Sequence, residues 1–434
     1  MHLLTRIKQL GQSKFVRNVA IVATGTAGAQ AITMAFAPVI TRLYGPEAFG
    51  LLGTFMAILG VLTPIAALTY PIAIVLPKSD TDAKKLAKLS ALVALIVTSI
   101  AAAVLLTAGD WIADALSLGA VAGFLLLIPL AMLFAAFQQI FTQWLIRKKQ
   151  FRITAKVAVL QAFIMNSAKA GAGWFHPVGA VLIVIAVGGQ ALHALLLWAG
   201  TRSKEAALPD NDESAGTLRE LANRHKDFPL YRAPQVALNA LSQSLPILML
   251  ASFFGPAAAG FYTLGRTVMG VPSTLIGGAV GDVFYPRIAE AANNKEKLFN
   301  LVLKATGALA AVGFVPFFVV IATGPWLFSF VFGAEWVDAG EYARWIALWM
   351  YFMFMNSPSN KTIPVLKIQG FYLFFTVFTI LIRLVGLGVG YFVFSSDLVA
   401  IAIFGVSGAV INVVIIAIVL LMAKKFDSKR SSDG

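Results

Sequence analysis

The chain has 434 residues, 59% of them hydrophobic and only 12% charged, with a net charge of +14. A soluble domain carries about 25% charged residues and could not bury this much apolar surface, so lipid must be the solvent for much of the chain. Cysteine is absent, which excludes disulfides, thiolate metal sites and cysteine nucleophiles, and the four scattered histidines (His2, His176, His193, His225) make no metal cluster.

Residues 1–17 place Leu3, Leu4, Ile7 and Leu10 at helical spacing with basic residues between them. That pattern predicts a short amphipathic helix on the cytoplasmic surface, not a cleaved signal peptide. Apolar windows long enough to span follow at 18–41, 48–76, 86–108, 120–146, 153–173 and 178–200. A polar linker, 201–232, precedes six more at 233–254, 258–284, 301–322, 343–366, 371–393 and 398–422, and a basic tail covers 423–434. The expected fold is an all-α polytopic membrane protein of 12 transmembrane helices. Two six-helix bundles, 18–200 and 233–422, stand as parallel pseudo-symmetric halves around a central cavity. With the N-terminus inside, all of the 34 Lys and Arg but Arg42, Lys169, Arg266, Arg344 and Arg383 fall in cytoplasmic segments. This asymmetry predicts cytoplasmic N- and C-termini and accounts for the basic charge without nucleic acid.

The halves repeat at an offset of 210. Tyr44-Gly45-Pro46-Glu47-Ala48-Phe49-Gly50 aligns with Phe254-Gly255-Pro256-Ala257-Ala258-Ala259-Gly260, and Gly60-Val61 with Gly270-Val271. A parallel repeat puts a substrate path between two bundles. Spans 2 and 8 both carry breakers: Pro64 and Pro71 in one, Pro272 and Gly277-Gly278 in the other. Freed backbone groups in a membrane must be buried in protein or line a cavity, so these prolines are candidate hinges. Structural kinking is the plainer alternative.

Ionisable residues inside a bilayer are costly and mark function. At 1.5 Å per residue, Arg383 lies roughly 18 Å into span 11 and Arg266 roughly 9 Å below the outer end of span 8. Lys169 is in the outer part of span 5, and Arg42 closes span 1. Cations without partner acids persist where water or an anion supplies the partner, and guanidinium binds phosphate oxygens bidentately. Arg266, Arg383, Lys169 and Arg42 are therefore candidate pyrophosphate ligands; snorkelling to the interface is the alternative for Arg42, Lys169 and Arg344. Asp282 and His193 are coupling candidates, set against local pairing of Asp282 with Arg287 or Lys304 and simple packing of His193. Gln235, Asn239 and Gln243 share one face of span 7, and Asn356 and Asn360 stand in span 10. These amides suit glycan hydroxyls or, equally, interhelical hydrogen bonds.

The stretch Pro38-Val39-Ile40-Thr41-Arg42-Leu43-Tyr44-Gly45-Pro46-Glu47-Ala48-Phe49-Gly50 resembles the first-loop signature of the polysaccharide transporter family, the O-antigen and exopolysaccharide flippases of the multidrug/oligosaccharidyl-lipid/polysaccharide superfamily. Gly265-Arg266 through Val283-Phe284-Tyr285-Pro286-Arg287-Ile288-Ala289-Glu290 is similar to that family's second-half motif. The resemblance implies alternating access in a bacterial inner membrane. Its substrate would be an undecaprenyl-pyrophosphate-linked oligosaccharide moved from the cytoplasmic to the periplasmic leaflet. Partners would be that lipid, membrane lipids and other polysaccharide assembly proteins, with no cofactor and no enzymatic activity. In the related lipid II flippases, cavity arginines on spans 1, 2 and 8 contact the pyrophosphate; Arg266 matches on span 8, Arg42 stands near the end of span 1, and span 2 has no basic residue. The two extra C-terminal helices of lipid II flippases are missing, which favours the O-antigen type.

Two rivals remain. A multidrug cation antiporter of the same superfamily would be expected to carry membrane-embedded carboxylates. An integral-membrane glycan-processing enzyme needs a site for acid–base or metal chemistry, usually on a sizeable loop. No GxxxxGK[ST] motif occurs, so energy must come from an ion gradient, the membrane potential or the substrate gradient.

Overall fold

The computed structural model describes residues 14–117, 119–202, 216–273, 284, 287–288, 290–292, 294, 296–366 and 368–432. Among them every regular element is helical. In the first half these are α1 (Lys14–Leu43), α2 (Pro46–Ala66), the short α3 (Tyr70–Ala73), α4 (Asp80–Ala115), α5 (Leu127–Arg147), α6 (Phe151–Phe175) and α7 (Gly179–Arg202). The short α8 (Leu218–Arg224) leads into α9 (Ala233–Phe254) and α10 (Pro256–Pro272). After them come α11 (Leu298–Phe332), α12 (Val337–Met355), the short α13 (Ser357–Thr362), α14 (Gln369–Phe392) and α15 (Asp397–Ser432). Eight helices among the described residues are long and apolar enough to cross a membrane, so the chain is a multi-pass membrane protein. Helices also occupy the remaining expected spans: α1, α6, α10 and α12. Charged residues dilute two of these, Arg152, Lys156 and Lys169 in α6 and Asp338, Glu341 and Arg344 in α12.

The sequence repeat is a repeat of structure. Helices α2 and α10 begin at Pro46 and Pro256, each just after a glycine. Proline suits a first turn, where its missing N–H has no intrahelical acceptor. Gly255 has φ of 89°, a conformation that a side chain would resist, and it ends α9 there. In the first half, Tyr44 is wholly buried and donates its hydroxyl to the Lys169 carbonyl at 3.0 Å. Gly173 makes room for it: a Cβ there would lie 2.5 Å from the Tyr44 ring. The signature tyrosine thus ties α1 to α6.

Span 2 is not one kinked helix over 48–76. It stops at Ala66, and Leu68 and Thr69 take left-handed φ values of 47° and 56° before α3 begins. A β-branched residue is strained there. Thr69 is held by its hydroxyl donating to the Phe228 carbonyl at 3.1 Å. Pro64 lies in the last turn of α2, whereas Pro71 sits in the first turn of α3 and starts a helix instead of bending one. Pro272 ends α10. Gly277, Gly278 and Asp282 lie outside the described residues, as do residues 1–13 and 203–215.

The turn after α3 is locked by Arg147. Its guanidinium donates to the carbonyls of Pro77 at 2.6 Å, Lys78 at 3.2 Å and Ile74 at 3.3 Å, and pairs with Asp80 at 2.9 Å. Lys148 pairs with the other Asp80 oxygen. Ser79 caps α4 by accepting from the Thr81 and Asp82 N–H groups. Thr217 and Glu220 form a capping box on α8.

The chain divides into two compact units, Met1–Ala259 and Gly260–Gly434. Helix α9 therefore groups with the first unit, one span later than the expected boundary at 201–232. The reason is packing: α9 lies along α2. The first unit's core brings together Phe55, Ile128, Met132 and Ile183 from α2, α5 and α7. The second unit has its own core around Ile288, Leu298, Val302 and Val419.

Candidate functional site

The second unit holds a half-buried cation whose position follows from glycines. On α14, a Cβ at Gly386 would lie 2.9 Å from Ile403 and one at Gly390 would lie 2.4 Å from Ala400 Cα. On α15, a Cβ at Gly405 would lie 2.5 Å from the Trp345 carbonyl and one at Gly408 would lie 2.6 Å from Trp349 Cδ1. Small residues let membrane helices approach to backbone contact, so α14 packs on α15 and α15 on α12. Arg383, one turn before Gly386, is thereby set on two rings. Its Cζ is 4.9 Å from the Trp349 ring centroid and 5.2 Å from that of Phe404. The rings meet edge to face, centroids 5.0 Å and planes 78° apart.

Arg383 is half-buried, and its Nε is fully buried with no hydrogen-bond acceptor. Among the described residues no carboxylate lies within 4.0 Å of it. Arg266 on α10 is within electrostatic range, so two like charges share this region. Tyr262, one turn before Arg266, is buried beside both guanidinium groups and packs against Phe404 at 6.4 Å. Tyr372 on α14 also lies within range of Arg383. Holding a cation at the centre of a bilayer helix costs about 2.5–3.5 kcal/mol on insertion scales. A desolvated cation–π contact returns up to about 2 kcal/mol, so two rings roughly offset that cost. The aromatic seat keeps the charge without neutralising it and leaves guanidinium N–H capacity for an anion.

The other sequence candidates divide as follows. Lys169 is half-buried on α6 and Arg42 is exposed in the last turn of α1, both in the first unit. The Tyr44–Lys169 bond places them at the same end of the α1–α6 pair. Arg344 is used locally: it pairs with Glu341 at 3.1 Å and donates Nε to the Ile321 carbonyl at 2.8 Å. Arg287, one of the two partners expected for Asp282, forks onto Glu296 at 3.1 and 2.5 Å. His193 is half-buried on α7, with no hydrogen bond or ion pair to its side chain among the described residues. Gln235, Asn239 and Gln243 are all exposed on α9, and Gln235 accepts from Arg232 at 3.0 Å. Asn356 is buried and donates to Asn412 Oδ1 at 2.9 Å, while Asn412 donates to the Gly408 carbonyl at 2.7 Å. The interhelical alternative therefore describes Asn356. Asn360 is half-buried, with a buried Oδ1 that has no partner.

Sequence reasoning missed Trp349, Phe404, Tyr262 and Asn412. Tyr262 could have been found, since it lies four residues before Arg266 on the same helical face. Asn412 is an amide inside an apolar run and was also visible. The first unit has a cavity of about 680 Å³ lined by Leu62, Leu105, Leu245 and Phe253 among others. Its lining is apolar apart from Ser117 and Ser252.

A family model described as "Polysaccharide biosynthesis protein" matches residues 39–341. No curated protein matches the sequence. Among solved structures, a multidrug resistance MATE family transporter of the MOP superfamily, inward-facing, superposes with a TM-score of 0.72 at 14% identity over 96% of this chain and 99% of that one. The lipid II flippase MurJ, inward closed, gives 0.69 at 12% identity over 92% and 87%. A MOP superfamily transporter from Pyrococcus furiosus, described as having a binding pocket of reverse polarity, gives 0.62 at 14% identity over 94% and 96%. Likeness at such identities establishes the fold alone, the all-α fold that these structures share, and leaves the cargo open. With the profile covering most of its length, the chain belongs to the polysaccharide biosynthesis protein family.

Proposed function

We propose that this protein flips an undecaprenyl-pyrophosphate-linked oligosaccharide, an O-antigen or exopolysaccharide repeat unit. Transfer runs from the cytoplasmic to the periplasmic leaflet of the bacterial inner membrane, by alternating access and without catalysis. Arg383 carries the reading: a half-buried guanidinium seated on Trp349 and Phe404, with no carboxylate beside it among the described residues. Arg266 lies in the same region, and together they suit a pyrophosphate bearing more than one negative charge. Lys169 and Arg42, both in the first unit, are further candidate anion ligands. The exposed amides of α9 (Gln235, Asn239, Gln243) are out of place against lipid and suit water or glycan hydroxyls, with Asn360 in the same role. Pro64, Pro71 and Pro272 stand where helices stop or start and are the candidate hinges, and Asp282 and His193 are the coupling candidates.

An organic-cation pump would call for a carboxylate within a span. The described acids of the membrane helices stand near helix ends, as Glu47, Asp110, Asp114, Asp338 and Asp397 do, or pair locally, as Glu341 does with Arg344. The test is depletion of the protein followed by mass spectrometry of extracted lipids. Accumulation of one polyprenyl-pyrophosphate glycan on the cytoplasmic leaflet supports the reading. Normal glycan export together with sensitivity to cationic drugs overturns it.

A further inference from the structure

A second charged feature lies in the first unit, away from the residues used above. Helices α1 and α6 touch at Gly25 and Ala155, where a Cβ on Gly25 would lie 2.4 Å from the Ala155 Cβ, and at Gly28, 3.4 Å from Val159 Cγ2. Gly25 and Ala155 floor an open trough of about 630 Å³. Its walls include Ile21, Ile32, Val159, Leu160 and Phe163, and its basic end carries Arg152 and Lys156. Arg152 and Lys156 are four residues apart on one face of α6. Both are exposed, and no carboxylate lies within 4.0 Å of either among the described residues. At the far end Phe163 meets Phe36 edge to face, centroids 6.2 Å apart.

The dimensions match one leaflet. From Arg152 to Phe163 the helix rises roughly 16 Å, and half of a hydrocarbon core about 30 Å thick is roughly 15 Å. The outward-facing walls are apolar and open: Leu160 is 40% and Phe163 54% exposed. Two cations at one end of an apolar trough, the whole about one leaflet long, are complementary to a lipid with an anionic phosphate headgroup and an acyl chain. Basic pockets between membrane helices recognise anionic headgroups in this way. We propose that the α1–α6 trough is a binding site for one anionic phospholipid, its phosphate between Arg152 and Lys156 and an acyl chain against Val159 and Phe163. A polyprenyl tail of many isoprene units would overrun a trough of this length, so the occupant is a phospholipid of the bilayer and not the transported lipid. The proposal is independent of the flippase reading.

The test is native mass spectrometry of the full chain in detergent, titrated with phosphatidylglycerol or with zwitterionic phosphatidylethanolamine. Each basic residue near an anionic lipid is worth about a fivefold change in binding. Arg152→Gln/Lys156→Gln should therefore weaken phosphatidylglycerol retention roughly 25-fold. Val159→Trp, which fills the trough and leaves the charges in place, should also displace it, and phosphatidylethanolamine should not be retained by the native chain. Equal retention of both lipids overturns the proposal, as does phosphatidylglycerol binding unchanged in both variants. So does a second copy of the chain that occupies this face and is displaced by Val159→Trp.

Discussion

Replacing Arg383 by Gln removes a guanidinium that touches two rings and no carboxylate among the described residues. On the folding side, two cation–π contacts of about 1–2 kcal/mol each are lost. The cost of holding a charge in the bilayer, about 2.5–3.5 kcal/mol, is relieved. These offset to within about 1–2 kcal/mol, so folded yield and the thermal midpoint in detergent should stay near the native values. On the transport side, a bidentate guanidinium–phosphate contact is two charge-assisted hydrogen bonds worth about 1.5–3 kcal/mol each. Their loss should weaken substrate affinity by roughly 100-fold or more. Arg383→Lys keeps the charge but not the fork and should fall between the two. The assay pairs thermal unfolding with glycan export in a strain that depends on this protein. A variant that unfolds readily yet exports within about threefold of the native level would refute the reasoning, because the arginine would then be structural.

Three further outcomes are expected. Gly390→Leu drives side-chain atoms into Ala400, whose Cα would lie 2.4 Å from the new Cβ; membrane-inserted yield should collapse, while Gly109→Ala, with open space around it, should be silent in fluorescence-detected size exclusion. Asn356→Ala strands the buried Asn412 carbonyl and should destabilise by about 1–3 kcal/mol, whereas Asn356→Leu/Asn412→Leu should be milder than the sum of the singles in a double-mutant cycle of thermal unfolding. Arg147→Ala removes donors to Ile74, Pro77, Lys78 and Asp80 together and should cost about 3–5 kcal/mol, read as loss of monodisperse protein; Asp80→Asn, which leaves the carbonyl contacts in place, should cost less.

Much of this was legible in the sequence because a bilayer leaves few options. Most span windows reappear as helices, the repeat as paired Gly-Pro helix starts, and Arg383 as a half-buried guanidinium without a carboxylate beside it among the described residues. What escaped was non-local or conformational. Leu68 and Thr69 take left-handed φ although neither is a residue type that announces it, so span 2 looked continuous. The Asn356–Asn412 bond joins residues 56 positions apart, and no periodicity reports such a partner. Glycines 386, 390, 405 and 408 were visible in the sequence. The register by which they bring Trp349 and Phe404 onto Arg383 depends on how three helices pack. Arg344 could have been settled earlier, since Glu341 stands one turn before it on the same helix.

In the proposed mechanism a guanidinium on an aromatic seat holds the phosphate end of a lipid. Equilibrium binding of polyprenyl pyrophosphate and of the corresponding uncharged polyprenol to the purified full chain and to Arg383→Gln tests it most directly. The pyrophosphate should bind tightly to the native chain and roughly 100-fold or more weaker to the variant, with polyprenol binding weak and the same for both. Pyrophosphate binding that is indifferent to Arg383, or no stronger than that of polyprenol, would contradict it.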